Sequence, residues 1–224
     1  MSEAVTLDVV IPSRNYGRYL PEAVRSVLQQ HGARTRVVIV DDASIDDSPR
    51  VAMSLADDRV LVIRLEEHSG ISVARNVGMR ACRSDWIAFL DADDLWPTDR
   101  TQQLLQLVEG SEPAMLFGQA TEFVDGTGQL PIRRTGLSLQ AGMFPMALAR
   151  SVGYFDESLV YAANVDWIAR ALGMGFRVQK TDGTVLNRRV HGANMSSQAG
   201  EDRSDFLTIV RRHRGKVDLA PLMA

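Results

Sequence analysis

The stretch Trp86-Ile87-Ala88-Phe89-Leu90-Asp91-Ala92-Asp93-Asp94 decides how the rest of the chain is interpreted. Its first five residues form an apolar run with the length and composition of a buried strand. The three carboxylates that follow repel one another, and burying them is costly unless a cation lies among them. Mg²⁺ and Mn²⁺ take such oxygen ligands and share them with substrate phosphates. The stretch alone leaves two interpretations open: a metal site that holds a diphosphate, or an acidic turn that caps the next helix.

The elements around this stretch predict an α/β fold with a mostly parallel central sheet flanked by helices. Apolar strands alternate with segments of helical periodicity, which is typical of βαβ units. The predicted strands are 7–12, 35–40, 60–65 and 86–90, and the predicted helices are 20–30, 48–56, 72–82 and 98–108. Ligands of such sheets bind at the carboxyl ends of the strands. Polar clusters lie there, at 12–15, 41–44 and 91–94, which favours the metal and nucleotide interpretation.

The second half of the chain is less regular. Its pattern predicts strands at 115–123, 176–179 and 185–190 and helices at 166–172 and 205–213, whereas 130–149 has no clear assignment. The basic end of the last helix, residues 211–216, is interpreted as a solvated face, with a membrane-surface patch as the alternative.

Composition narrows the functional classes. The chain has 224 residues, 45% of them hydrophobic, which suits one globular domain. A net charge of -3 argues against nucleic-acid binding, and the single cysteine, Cys82, excludes an internal disulfide framework and a cysteine zinc cluster. We expect a cytoplasmic protein, since the sequence contains neither a signal-peptide pattern nor an apolar run of about 18 residues. There is no G-x-G-x-x-G after the first strand and no P-loop motif, which disfavours dehydrogenase-type and P-loop nucleotide binding.

Four motifs occur in a family-like order and spacing at 9–15, 38–48, 70–78 and 86–96, and two more at 153–159 and 189–196 also fit. With them the chain resembles the inverting glycosyltransferases of family 2, over roughly residues 7–197. The resemblance implies a single domain with the GT-A fold and a Rossmann-like N-terminal half. It places nucleotide-sugar binding in about 7–110 and acceptor binding and catalysis in about 111–197, followed by a tail or helix at 198–224.

The resemblance also assigns roles in donor binding. Asp42 is expected to accept a hydrogen bond from the nucleobase, although a cap on the helix near Ser48 is the alternative. Arg75 is expected to contact the donor nucleotide or to support the acidic cluster, against the alternative of an ordinary surface arginine. Further nucleotide contacts are expected from Pro12, Ser13, Arg14, Asp91 and Ala92.

The same resemblance implies a bound Mn²⁺ or Mg²⁺. Asp93 matches the position that ligates the cation, and Asp91 would act through water or through the ribose hydroxyls. His191 is a further candidate ligand, with a purely structural histidine as the alternative. Asp94 would support the metal site or cap the next helix. The cation would stabilise the departing nucleoside diphosphate as a Lewis acid.

The catalytic base is where the sequence departs from the family. Inverting transfer needs a carboxylate that takes the proton of the acceptor hydroxyl. The family usually supplies it from a Glu-Asp pair, but Ala163 and Asn164 occupy these positions. The nearby Asp166 is one candidate, with a first-turn helix role as its alternative. Asp156 or Glu157 is a second possibility. The third is an enzyme whose acceptor needs little help from a base, or a catalytically weak binding protein.

The predicted reaction is therefore transfer of a sugar, with inversion, from a nucleoside diphosphate sugar, expected to be a UDP-sugar. The acceptor is expected to be a glycan, a lipid-linked saccharide or a small natural product. A nucleotide-sugar binding protein without turnover is the alternative. A nucleotidyltransferase is disfavoured, because the loop after the first strand lacks a glycine-rich phosphate-binding pattern.

Overall fold

The computed structural model describes residues 4–108, 113–125, 132–192 and 204–222. The strands described are β1 (Thr6–Ser13), β2 (Arg34–Asp41), β3 (Val60–Arg64), β4 (Trp86–Phe89), β5 (Ala114–Phe123), β6 (Ile132–Arg134), β7 (Gly142–Pro145) and β8 (Arg177–Arg189). The helices are α1 (Leu20–Leu28), α2 (Ser48–Ser54), α3 (Ile71–Ala81), α4 (Arg100–Leu105), α5 (Met146–Val152), α6 (Ala163–Gly173) and α7 (Ser204–His213). Short 3₁₀ turns cover Leu139–Ala141 and Ala220–Leu222.

The described strands form one mixed sheet in the order β3-β2-β1-β4-β7-β5-β6, with β8 paired to β5. Strands β1 to β4 are parallel to one another, whereas β7 runs antiparallel to both β4 and β5. The predicted α/β class with a helix-flanked sheet is confirmed. The strands β6 and β7 lie in the region that the sequence left unassigned, and they make the second half of the sheet mixed.

Both faces of the sheet are buried, because successive side chains of a strand point to opposite sides. Val10, Val38 and Phe89 pack on one face with the aromatic ring of Trp167 from α6. Val9, Ile11 and Val37 pack on the other face with apolar residues of α1. Such two-sided burial explains why the strands read as continuous apolar runs rather than alternating ones.

Helix α3 packs directly against β1 at Gly78. A Cβ atom at this position would lie 2.3 Å from Val10 Cγ1, closer than two carbon atoms can approach. Glycine therefore allows α3 to lie close to the sheet, with Arg75 one turn before the contact. This close packing fixes the position of Arg75 relative to the ends of β1 and β4.

Strand β8 returns the chain to the acidic turn. It was predicted as two short strands, but it forms one strand that pairs with β5 through register shifts. Near its end, Asn187 pairs with Leu95 through two backbone hydrogen bonds of 2.8 and 2.9 Å. This pairing places His191 beside the acidic turn. Residues 193–196 of the last motif and 198–203 of the predicted tail lie outside the described residues.

Within the described ranges, no helix combines the length and apolar character that crossing a bilayer requires.

Candidate functional site

The acidic turn gathers three carboxyl groups at the end of β4. The Asp94 amide donates to the Asp91 carbonyl at 3.0 Å, which closes a tight turn. Asp93 and Asp94 are 7% and 3% exposed, whereas the Asp91 side chain keeps 32% of its surface accessible. Two carboxyl groups are thus buried in the turn, and Asp91 is presented to solvent. Ala92 is buried and belongs to the apolar core on the α1 side of the sheet.

Burial raises the pKa of Asp93, and the neighbouring charge of Asp91 raises it further. Burial also raises the pKa of Asp94 well above its usual range, with Asp91 and Asp93 adding to the effect. The nearby His191 and the backbone amide of Arg189 offset these effects only in part. The positive neighbours of these carboxyl groups therefore compensate burial and mutual repulsion only in part, and a divalent cation would add to that compensation.

His191 reaches this corner as the sequence predicted. Its Nε2 atom lies 2.9 Å from Asp93 Oδ2. The imidazole stacks on Tyr19, with ring centroids 5.2 Å apart, and a second ring, Tyr16, lies 5.9 Å away. Burial and the charges of Asp93 and Asp91 raise the pKa of Tyr16 to about 12, so its hydroxyl stays protonated and can donate. The two tyrosines were not singled out from the sequence, although they closely follow the first motif, between β1 and α1.

The pair of Asp93 and His191 fits a six-coordinate cation. Two neighbouring ligands of Mg²⁺, with bonds of about 2.0–2.1 Å, lie about 3 Å apart, close to the observed separation. Among the described residues, no group of three or more histidine, cysteine and carboxylate side chains is arranged as a metal cage. That finding is compatible with Mg²⁺ or Mn²⁺, because such ions are commonly held by one or two carboxylates together with substrate phosphates.

Asp91 is held from two sides. Arg75 Nη2 donates to its Oδ1 at 3.0 Å, and Gln140 Nε2 donates to its Oδ2 at 2.6 Å. Arg75 is buried, so it is not the ordinary surface arginine of the alternative interpretation. Gln140 lies in the unassigned region 130–149, where no motif pointed to it, and only the tertiary structure brings it to the site.

Polar atoms without partners line the end of β1. Within the residues that the structure describes, Ser13 Oγ, Arg14 Nε and Arg75 Nε are buried and make no hydrogen bond. Pro12 is buried beside them and faces Val40 of β2. Buried polar groups normally have a partner, so a cluster of unsatisfied ones is what a polar ligand would complete.

Asp42 holds the loop that precedes α3. Its Oδ1 accepts from the Ser69 amide at 2.7 Å, and its Oδ2 accepts from the Gly70 amide at 2.9 Å. His68 Nδ1 lies 2.8 Å from the same Oδ2. The alternative of a cap near Ser48 is wrong, since the Ser48 amide is bonded to Asp46 instead. Each carboxylate oxygen can accept more than one hydrogen bond, so Asp42 can still accept from a ligand.

A comparison of the sequence with protein families decides the assignment. Residues 8–163 match the family model described as Glycosyl transferase family 2. The chain belongs to glycosyl transferase family 2.

Curated relatives of this family support the assignment. The chain is 35% identical to the "Putative teichuronic acid biosynthesis glycosyltransferase TuaG" of Bacillus subtilis (strain 168), over 54% of this chain and 49% of that protein. It is 30% identical to "Glycosyltransferase GlyG" of Streptococcus pneumoniae serotype 4 (strain ATCC BAA-334 / TIGR4), over 61% of this chain and 45% of that protein. The chain thus spans about half the length of these two relatives.

A solved structure shows the same fold. S. aureus TarS residues 1–349 in complex with UDP-GlcNAc superimposes with a TM-score of 0.76 and 18% identity, covering 96% of this chain and 69% of that chain. At this identity the similarity demonstrates the GT-A architecture alone, which the resemblance had implied.

Asn164 stands at the position that the resemblance implied for the catalytic base, and the substitute candidate Asp166 is fully buried. Asp166 Oδ2 accepts from Arg170 Nε at 2.9 Å. Its Oδ1 accepts from Arg212 Nη1 at 2.7 Å and lies 3.2 Å from His213 Nε2. Burial raises the pKa of Asp166, but the hydrogen bonds from these basic side chains outweigh burial and lower it. A carboxylate so enclosed is unsuited to proton abstraction in this conformation.

The two other carboxylates considered for the base are also engaged. Asp156 accepts from Ser158 and from Arg212. Glu157 Oε1 accepts from Asn76 Nδ2 at 2.8 Å, and Asn76 also bonds both backbone groups of Phe155. The basic end of α7 therefore holds α6 and the preceding loop, in addition to facing solvent as predicted.

Proposed function

We propose that this chain transfers a sugar from a nucleoside diphosphate sugar to an acceptor hydroxyl with inversion. The observation that carries the proposal is the corner at β4, where two buried carboxyl groups with raised pKa values lie beside His191 and the accessible Asp91. A divalent cation would supply positive charge to these carboxylates, and the diphosphate of a donor would complete the ligands of the cation.

The donor nucleotide is proposed to bind across the ends of β1, β2 and β4. The unpartnered atoms of Ser13, Arg14 and Arg75 would complete their hydrogen bonds on it. Asp42 would accept from the nucleobase, and Asp91 would accept from the ribose hydroxyls. Pro12 and the backbone of Ala92 would line the same pocket. UDP is the nucleotide we favour, and the complex of the similar TarS contains UDP-GlcNAc.

Asp93 and His191 are the residues that would hold Mn²⁺ or Mg²⁺. When bound, the cation supplies Lewis-acid stabilisation of the departing diphosphate. Tyr16 contributes a protonated hydroxyl at the edge of the same corner, and Tyr19 fixes the plane of the His191 ring. These side chains orient the leaving group and exclude water from it.

The acceptor is proposed to be a glycan, a lipid-linked saccharide or a small molecule. The similar TuaG carries a name that refers to teichuronic acid biosynthesis, which is consistent with a saccharide acceptor. We place acceptor recognition in the second half of the chain, close to β7 and α6. We also propose that the protein works in the cytoplasm, where nucleotide sugars are used.

A specific observation favours a second candidate, a nucleotide-sugar binding protein with little or no turnover. Asn164 cannot take a proton at neutral pH, and the negative charge of Asp166 is balanced by the basic side chains of Arg170 and Arg212. We therefore assign Asp166 to holding α6 in place, and we assign no residue to proton abstraction.

Thermal unfolding of the chain with UDP, GDP, CDP, ADP or TDP, each with and without Mn²⁺, tests the proposal. One nucleotide should stabilise the protein only when Mn²⁺ is present, by about 2.7 kcal/mol at a hundredfold excess over its dissociation constant. Stabilisation by none of the five would contradict donor binding. Slow hydrolysis of the corresponding nucleotide sugar would favour the transferase, whereas binding without any turnover would favour the second candidate.

A further inference from the structure

We propose that Gln140 is a positioning residue for the donor, acting through Asp91; this inference rests on the proposed function. Gln140 comes from the second half of the chain, whereas Arg75, Asp91 and Asp93 come from the first. The hydrogen bond from Gln140 Nε2 to Asp91 Oδ2, at 2.6 Å, thus links the acceptor half to the donor site.

The orientation of the Gln140 amide follows from Asp91. Because a carboxylate only accepts hydrogen bonds, the nitrogen end of the amide must be the one that faces it. The oxygen end then accepts from the Ser138 hydroxyl at 2.8 Å. The side chain is therefore ordered before any ligand binds, and ordering a free glutamine would otherwise cost entropy.

The backbone beneath Gln140 is also fixed. Its neighbours in the 3₁₀ turn, Leu139 and Ala141, are both fully buried, and they belong to the cores on opposite faces of the sheet. The turn is closed by a hydrogen bond from the Ala141 amide to the Ser138 carbonyl at 3.1 Å. The backbone that carries Gln140 is thus held in place by buried neighbours, which suits a residue that orients the Asp91 carboxylate.

Gln140 fixes the orientation of the Asp91 carboxylate. Arg75 alone binds one oxygen of Asp91 and would leave the carboxylate free to rotate about Cβ–Cγ. A second donor on the other oxygen fixes the carboxylate plane, and with it the lone pairs that remain for the ligand. Since the amide is neutral, it does so without cancelling the negative charge that the ribose hydroxyls, or a water on the cation, would meet.

The test compares Gln140→Met with Gln103→Met. Gln103 donates to Asp99 at 2.8 Å on the exposed side of α4, so it offers the same kind of amide–carboxylate contact away from the site. Calorimetric titration of the wild-type chain and of each variant with UDP, GDP, CDP, ADP and TDP, each in Mn²⁺, measures the dissociation constant. Gln140→Met should weaken binding about tenfold, equivalent to about 1.4 kcal/mol, while Gln103→Met stays within twofold of the wild type.

Two further measurements separate positioning from a structural role. The unfolding midpoint of Gln140→Met without ligand should match that of Gln103→Met within about 2 °C, because a change of 1 kcal/mol would shift it by about 2–4 °C. Ser138→Ala, which only frees the amide, should weaken nucleotide binding in the same direction but less than tenfold.

Equal nucleotide affinity of Gln140→Met and wild type would overturn the inference and leave the proposed function standing. So would a loss of affinity matched by a fall in the unfolding midpoint. If the wild-type chain binds none of these nucleotides in the presence of Mn²⁺, the proposed function and this inference fall together.

Discussion

Two groups of buried carboxylates in this protein have opposite surroundings. At the end of β4, burial and mutual repulsion raise the pKa values of Asp93 and Asp94. On α6, Asp166 is at least as buried, yet hydrogen bonds from Arg170, His213 and Arg212 outweigh burial and lower its pKa. Burial of a carboxylate is thus not itself a mark of function. His191 offsets the burial of Asp93 only in part, so a bound cation can still stabilise the first group, whereas Asp166 already has its counterions.

The largest effect is expected from Asp93→Asn. The substitution should reduce sugar transfer, or donor hydrolysis, about a thousandfold, equivalent to about 4 kcal/mol in the barrier, because it removes a proposed ligand of the cation that would stabilise the leaving group. Turnover with Mn²⁺ measures this, beside the exposed Asp99→Asn as control, which should retain wild-type rates. If Asp93→Asn folded and kept full turnover, the proposed metal site at Asp93 and His191 would have no part in the mechanism.

A smaller and different effect is expected from Asp166→Asn. It leaves Arg170 and Arg212 without their carboxylate and should lower the free energy of unfolding by about 3 kcal/mol, as the breaking of a buried ion pair does. Urea denaturation followed by circular dichroism gives the value. The exposed pair of Asp47 and Arg50 offers the control, since Asp47→Asn should change stability little.

The same experiment can sharpen the comparison between the two groups. If Asp166→Asn proved as stable as the wild type but lost turnover, Asp166 would belong to the chemistry after all. Asp166 could then no longer serve as the example of a buried carboxylate with a purely structural role.

The smallest effect is a pH dependence of this stability difference. The pKa of Asp166 is lowered in the folded protein, so its contribution is fully present above its unfolded value of about 3.9 and is lost as the pH falls through the folded value. The difference in unfolding free energy between wild type and Asp166→Asn should shrink as the pH falls below about 4. A difference that grows on acidification would reverse the assigned sign. Denaturation curves across this range measure it.

Much of the donor side could be predicted from the sequence. The apolar runs fix the strands, and the polar residues that follow them must meet at one edge of a parallel sheet. Asp42, Asp91 and Asp93 were found in this way, and the family motifs added Arg75 and His191. The sequence does not reveal that Asp42 also fastens the loop at Ser69 and Gly70, because that contact joins residues 27 positions or more apart.

The second half shows where sequence patterns stop being informative. The strand β7 has four residues and β6 has three, too few for a periodicity to be recognised. Gln140, between them, has no motif around it. The burial of Asp166 depends on α7, whose Arg212 lies 46 positions along the chain.

The sequence alone thus determined which chemical groups are available: it contains carboxylates after a buried strand and the motifs of a family that uses nucleotide sugars. The tertiary structure decided which carboxylates have enough basic neighbours to compensate for their burial and which do not. Charge balance depends on distances between side chains far apart in the chain, and these are set only when the sheet and α7 pack together.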